Sequence, residues 1–126
     1  MPTIPLTEKN FDTITKESSI VFVDFWADWC APCRAFAPVF ERASNKHTDV
    51  TFGKVDTEAE PALAGSFQVR AIPTLMVIKE GVVVFSQAGM LPPAALEDLI
   101  EQAKKLDMDD VRKKIADAEA KEKKTA

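Results

Sequence analysis

The sequence predicts an α/β domain, a mixed sheet of about five strands with helices on both faces, extended by a charged helical tail. Three observations point to it. The run Ile20-Val21-Phe22-Val23-Asp24-Phe25-Trp26 is apolar at every position but one, as in a central strand covered on both faces. Strand-like and helix-like stretches alternate in the order β, α, β, α, β, α, β, β, α. Glu80-Gly81 separates two apolar runs, a tight-turn signal that pairs the last two strands as a hairpin.

Taken in order, Thr3 to Leu6 reads as a short edge strand, because Pro2 and Pro5 argue against a central one. Thr7 is the expected cap of a short amphipathic helix from Glu8 to Lys16, which carries Phe11 and Ile14 and is broken by Ser18-Ser19. The central strand follows. Its one carboxylate, Asp24, is costly to bury, and burial raises its pKa by penalising the ion. A helix from Pro32 to about His47 presents Phe36, Val39 and Phe40 on one face, with Pro38 expected to kink it. Thr51 to Asp56 is a second core strand. Asp56 or Thr57 then caps a helix from Glu58 to about Phe67, with Pro61 in its first turn and Leu63, Ala64 and Phe67 on its buried side. Thr74 to Lys79 and Val82 to Ala88 form the hairpin, ended by Gly89. After Pro92-Pro93, Leu96, Leu99, Ile100 and Ala103 recur at helical spacing. From Asp107 onward acids lead and bases trail, which suits a helix dipole, but only Met108, Val111 and Ile115 can be buried. A marginal helix fraying beyond Glu119 is expected there.

A chain of 126 residues with 46% hydrophobic side chains is one domain's worth and has enough apolar material for a single core. We divide it into a domain over residues 1–106 and an extension over 107–126. The net charge is −4, from 16 basic and 20 acidic residues. The extension holds six of each, so the deficit belongs to the domain. No basic cluster stands free of acids, which argues against a nucleic-acid partner. No apolar run approaches a bilayer span, and the N-terminus lacks the basic start and apolar core of a secretory signal, so the expected compartment is the cytoplasm, with no membrane partner.

Cys30 and Cys33 are the only cysteines. They fall where a strand hands over to a helix, and at this spacing in a first helical turn the two sulfurs share a side, close enough to bond. Cys30 lies just outside the helix, where unpaired N–H groups and the positive end of the dipole favour a thiolate. Cys33, one turn in, is expected to be more shielded. Zinc would require four ligands, and His47 is the only histidine. A crosslink over so few residues removes little chain entropy, so a purely structural disulfide would stabilise little. Redox exchange is the reading that uses the spacing, and a close cysteine pair in a reducing compartment is more often catalytic than structural.

The stretch Phe25-Trp26-Ala27-Asp28-Trp29-Cys30-Ala31-Pro32-Cys33-Arg34, followed by Pro38, Lys54-Val55-Asp56, Arg70-Ala71-Ile72-Pro73-Thr74, Gly81 and Gly89, resembles the thioredoxin family in order and separation from about Thr3 to Leu106. The resemblance implies the thioredoxin fold and protein-disulfide reduction by dithiol–disulfide exchange. It makes Cys30 the nucleophile and Cys33 the resolving thiol, with Asp24 accepting or relaying the proton of Cys33 and Lys54 beside it. It also implies a cis-proline at Pro73, main-chain pairing of substrate at Ile72, and a flat apolar rim from Trp29, Pro32, Gly89 and Met90. No bound cofactor is implied. A monomer would draw electrons from a separate NADPH-dependent flavin enzyme, thioredoxin reductase, and pass them to disulfide-containing proteins.

Two residues depart from the family pattern. Ala31 stands where the best-known reductants have glycine, and Met90 is larger than the residue often found after the glycine. The first change motivates an alternative reading as a disulfide oxidase or isomerase. The few apolar residues of the tail motivate another, a non-catalytic module that binds a partner.

Overall fold

The computed structural model describes residues 2–125, and for residues 124 and 125 only the backbone. Five strands, β1 (Thr3–Pro5), β2 (Ile20–Trp26), β3 (Thr51–Asp56), β4 (Thr74–Lys79) and β5 (Val82–Ala88), form one sheet in the order β1-β3-β2-β4-β5. β3 pairs in parallel with β1 and β2, whereas β2–β4 and β4–β5 are antiparallel. The expected mixed sheet is therefore present, with β2 at its centre.

The helices are α1 (Phe11–Glu17), α2 (Ala31–Lys46), α3 (Pro61–Ser66), α4 (Pro93–Lys105) and α5 (Met108–Thr125). Alternation along β2 divides the core in two. Ile20 and Phe22 join Phe36 and Phe40 of α2 and Leu96 and Ile100 of α4 on one face. Val21, Val23 and Phe25 join Phe11 of α1 and Leu63 of α3 on the other. Asp24 belongs to the first series, so the only carboxylate of the strand falls on the face covered by α2. Gly53 is fixed by packing, because a Cβ there would lie 2.6 Å from Cγ of Leu6, too close for any side chain.

Two helix starts differ from the sequence reading. Thr7 does not cap α1. The Asn10 side chain accepts the Thr7 N–H at 2.7 Å and donates to the Pro5 carbonyl at 3.0 Å, so residues 7–10 close a turn and the helix begins at Phe11. Asp56 does not cap α3 either. Its carboxylate accepts the N–H groups of Glu58 and Ala59 at 3.0 and 3.4 Å, and Thr57 donates to the Trp26 carbonyl at 3.0 Å. These bonds make a tight turn after β3, and the helix waits for Pro61, whose fixed φ suits a first helical position. The hairpin follows expectation, with Glu80 at φ 51° and Gly81 at φ 78°, the left-handed backbone that a two-residue turn requires.

The extension is helical to Thr125, beyond the expected fraying point at Glu119, and its first turns are docked. Met108 is buried, and Arg112 donates to the Glu80 carboxylate at 2.6 Å. Lys79 holds the junction with α4. Its buried ammonium donates to the carbonyls of Ala103, Lys104 and Leu106 at 2.7, 3.3 and 2.8 Å, placing a cation on the carbonyls at the end of α4. Replacing it with Met removes charge-assisted bonds and keeps the packing. Lys79→Met is expected to destabilise the protein by about 2–3 kcal/mol in urea unfolding. An unchanged midpoint would show the three bonds to be energetically idle.

Candidate active site

β2 ends at Trp26, and the chain turns through residues 27–30 before entering α2, a turn closed by the Cys30 N–H donating to the Ala27 carbonyl at 3.2 Å. Cys30 is the N-cap of α2, with extended backbone, and its sulfur accepts the Cys33 N–H at 3.2 Å. That contact aims an orphan helix donor at the outer sulfur, on the side of the positive end of the helix dipole. Pro32 sits in the first turn, where a missing N–H costs nothing. Cys30 and Cys33 are joined by a disulfide with Cα atoms 5.2 Å apart.

The expected contrast in shielding between the cysteines is slight: Cys30 is 4% exposed and Cys33 2%. The Pro73 loop accounts for this. The Cys30 sulfur stands 3.6 Å from the Ile72 carbonyl oxygen, and the Ile72–Pro73 bond is cis. Gly89 donates its N–H to the Pro73 carbonyl at 2.8 Å, so the end of β5 is tied to the same loop. Contacts thus bring Cys30, Cys33, Ile72, Pro73 and Gly89 together from three distant stretches of chain. Trp29 and Met90, flanking Cys30 and Gly89 in sequence, are exposed by 67% and 42%.

Asp24 is fully buried, and among the described residues neither carboxyl oxygen has a hydrogen-bond partner. Burial raises its pKa to about 7, against a smaller opposing pull from Lys54, its register partner on β3. The Lys54 ammonium lies 4.8 Å from the centre of the Trp26 ring. A buried acid whose pKa lies near neutrality can change its protonation state at physiological pH.

Sequence reasoning missed two supporting residues. The Trp29 indole N–H donates to Glu58 at 2.7 Å, and the Arg34 guanidinium donates to the Asp28 carbonyl at 2.6 Å. Glu58 carries no local signal, because only the pairing of β2 with β3 brings it to Trp29. Arg34 was part of the motif but had no assigned partner. Among the described residues no group of three or more His, Cys, Asp and Glu side chains is arranged to hold a metal ion, and no helix is long and apolar enough to cross a membrane.

The Thioredoxin family model matches residues 2–102. The chain belongs to the thioredoxin family. It is similar to a putative thioredoxin 2 from Streptomyces coelicolor, 53% identical over 118 residues, covering 94% of this chain and 88% of that one. A thioredoxin from Bacillus subtilis is 37% identical over 103 residues, covering 81% and 98% of the two chains. Among solved structures, a mutant thioredoxin from Halobacterium salinarum superposes with a TM-score of 0.77 at 34% identity, covering 83% of this chain and 93% of that one. As a thioredoxin-family member with a paired Cys30 and Cys33, the protein is a thiol–disulfide oxidoreductase whose activity is dithiol–disulfide reduction. The oxidase, isomerase and non-catalytic readings are not favoured. The family works with thioredoxin reductase and disulfide substrates and needs no bound cofactor.

Proposed function

We propose that Cys30 is the nucleophile of a cytoplasmic, monomeric protein-disulfide reductase, and that Cys33 resolves the intermediate. The Cys30 thiolate attacks one sulfur of a substrate disulfide, the substrate S–S bond breaks, and the departing thiolate takes a proton. Cys33 loses its proton to Asp24 and attacks the Cys30 sulfur, which expels the second substrate thiolate and leaves Cys30 bonded to Cys33. Two electrons pass to the substrate. Lys54 biases the charge of Asp24. Ile72 and Pro73 offer main chain to an extended substrate segment, while Trp29, Pro32, Gly89 and Met90 form its apolar rim.

The observation that carries this reading is the Cys33 N–H aimed at the Cys30 sulfur, with the Ile72 carbonyl 3.6 Å from the same sulfur. A separate NADPH-dependent flavin reductase returns the disulfide to the dithiol. The extension over 107–126 is proposed to lie outside the catalytic unit. The end of the family match at residue 102 supports that division, although the match to the Streptomyces relative continues into α5.

Mixing the protein with NADPH, a thioredoxin reductase and a disulfide-bonded protein is expected to give NADPH oxidation that depends on all components. In the reduced protein, iodoacetamide at pH 7 is expected to label Cys30 well before Cys33 by peptide mass spectrometry. No NADPH consumption, or equal labelling of both thiols, overturns the assignment.

A further inference from the structure

We propose that Arg34 is a positioning residue, which holds the Ala27–Cys30 turn so that the Trp29 indole presents a fixed face to protein substrates. The inference rests on the reading of Trp29 as substrate rim. Arg34 grips the turn at two points: its backbone N–H donates to the Cys30 carbonyl at 3.1 Å, and its guanidinium donates to the Asp28 carbonyl at 2.6 Å. The first bond belongs to any helix. The second depends on this side chain, which reaches back from the first turn of α2 to a carbonyl that is outside both β2 and α2.

The turn needs such a tether. Asp28 and Trp29 are exposed, yet they connect the buried Ala27 to the buried Cys30. Three bonds restrain them: the Cys30 N–H to Ala27, the Arg34 guanidinium to Asp28, and the Trp29 indole N–H to Glu58. Without the Arg34 bond, the backbone at Asp28 is free between two fixed ends and Trp29 keeps only its indole tether to Glu58, so binding a protein substrate must then include the entropy of ordering them. A small disulfide reaches the sulfur without using the rim. Arg34 therefore acts on selectivity for proteins more than on the thiol chemistry.

The test compares the full-length protein with Arg34→Gln and Arg34→Lys, using a disulfide-bonded protein and a small aromatic disulfide. The ratio of the two kcat/KM values is expected to fall about threefold to tenfold in Arg34→Gln, chiefly through KM for the protein. Arg34→Lys, which keeps a donor, is expected to recover most of the ratio. Fluorescence anisotropy of Trp29 in a Trp26→Phe background should fall in Arg34→Gln. In a double-mutant cycle with Glu58→Ala the losses should be non-additive, since both residues restrain one turn. An unchanged ratio in Arg34→Gln overturns the proposal, as does an equal loss in Arg34→Lys. If Trp29→Ala leaves the protein KM unchanged, the rim reading itself fails, an outcome distinct from a failure at Arg34.

Discussion

Cys30→Ser is expected to abolish protein-disulfide reduction, lowering the rate by at least about a thousandfold, the scale of loss when an enzyme's nucleophile is removed. A serine hydroxyl is not ionised at neutral pH, and the helix N-terminus that supports a sulfur anion cannot make it a comparable nucleophile. Cys33→Ser has a different consequence. Attack by Cys30 still proceeds, but nothing resolves the product, so the variant is expected to accumulate as a covalent adduct with its substrate. The adduct is visible on a non-reducing gel and released by dithiothreitol. Sustained turnover by Cys30→Ser, or no adduct with Cys33→Ser, would contradict the division of labour between the two thiols.

Asp24→Asn is expected to stabilise the protein and slow it. In the fold its pKa is about 7, raised by burial from an ordinary 3.8. Below about pH 4 the carboxyl is protonated in both folded and unfolded chains and carries no ionisation penalty. As pH rises toward 7 the unfolded chain releases this proton while the folded one keeps it, so stability falls, and above 7 the full cost of the buried ion is present. The interval from 3.8 to about 7 corresponds to roughly 4 kcal/mol at ~1.4 kcal/mol per pH unit. Because the asparagine amide is also buried, the expected gain at pH 8 is about 2–4 kcal/mol, vanishing near pH 4. Urea unfolding of both proteins at pH 4, 6 and 8 measures this, and parallel stability profiles would rule it out. Loss of the proton acceptor is expected to slow resolution of the mixed disulfide by about a hundredfold, in the range for general-base catalysis.

This conflict between stability and chemistry explains a feature of the central strand. Five of its seven residues pack the two cores, Trp26 is half-buried at the strand's end, and Asp24 places a carboxyl that is costly to ionise among them. Burial is what raises the Asp24 pKa, and protein donors bonded to the carboxylate would lower it.

The strands and the hairpin turn were legible because they depend on local properties: runs of apolar residues, alternation, and a two-residue turn needing positive φ. The starts of α1 and α3 were misjudged for a matching reason. Thr7 and Asp56 belong to residue types that cap helices, yet each is used in a preceding turn, a choice made by the loop's fit to its neighbours. The near-equal burial of the two cysteines was also unreadable, since it depends on a loop about forty residues further on.

From its own pattern the chain set out the strands, the hairpin, the dithiol at a helix entrance and the single acid in an apolar strand. Periodicity and nearest-neighbour chemistry suffice for these. Tertiary structure alone decided that Ile72 faces the Cys30 sulfur, that Glu58 and Arg34 hold the Trp29 turn, and that Lys79 closes the end of α4. Each of these joins a polar atom to a partner on another element or across a loop, and only strand register and helix packing bring such partners within hydrogen-bonding reach.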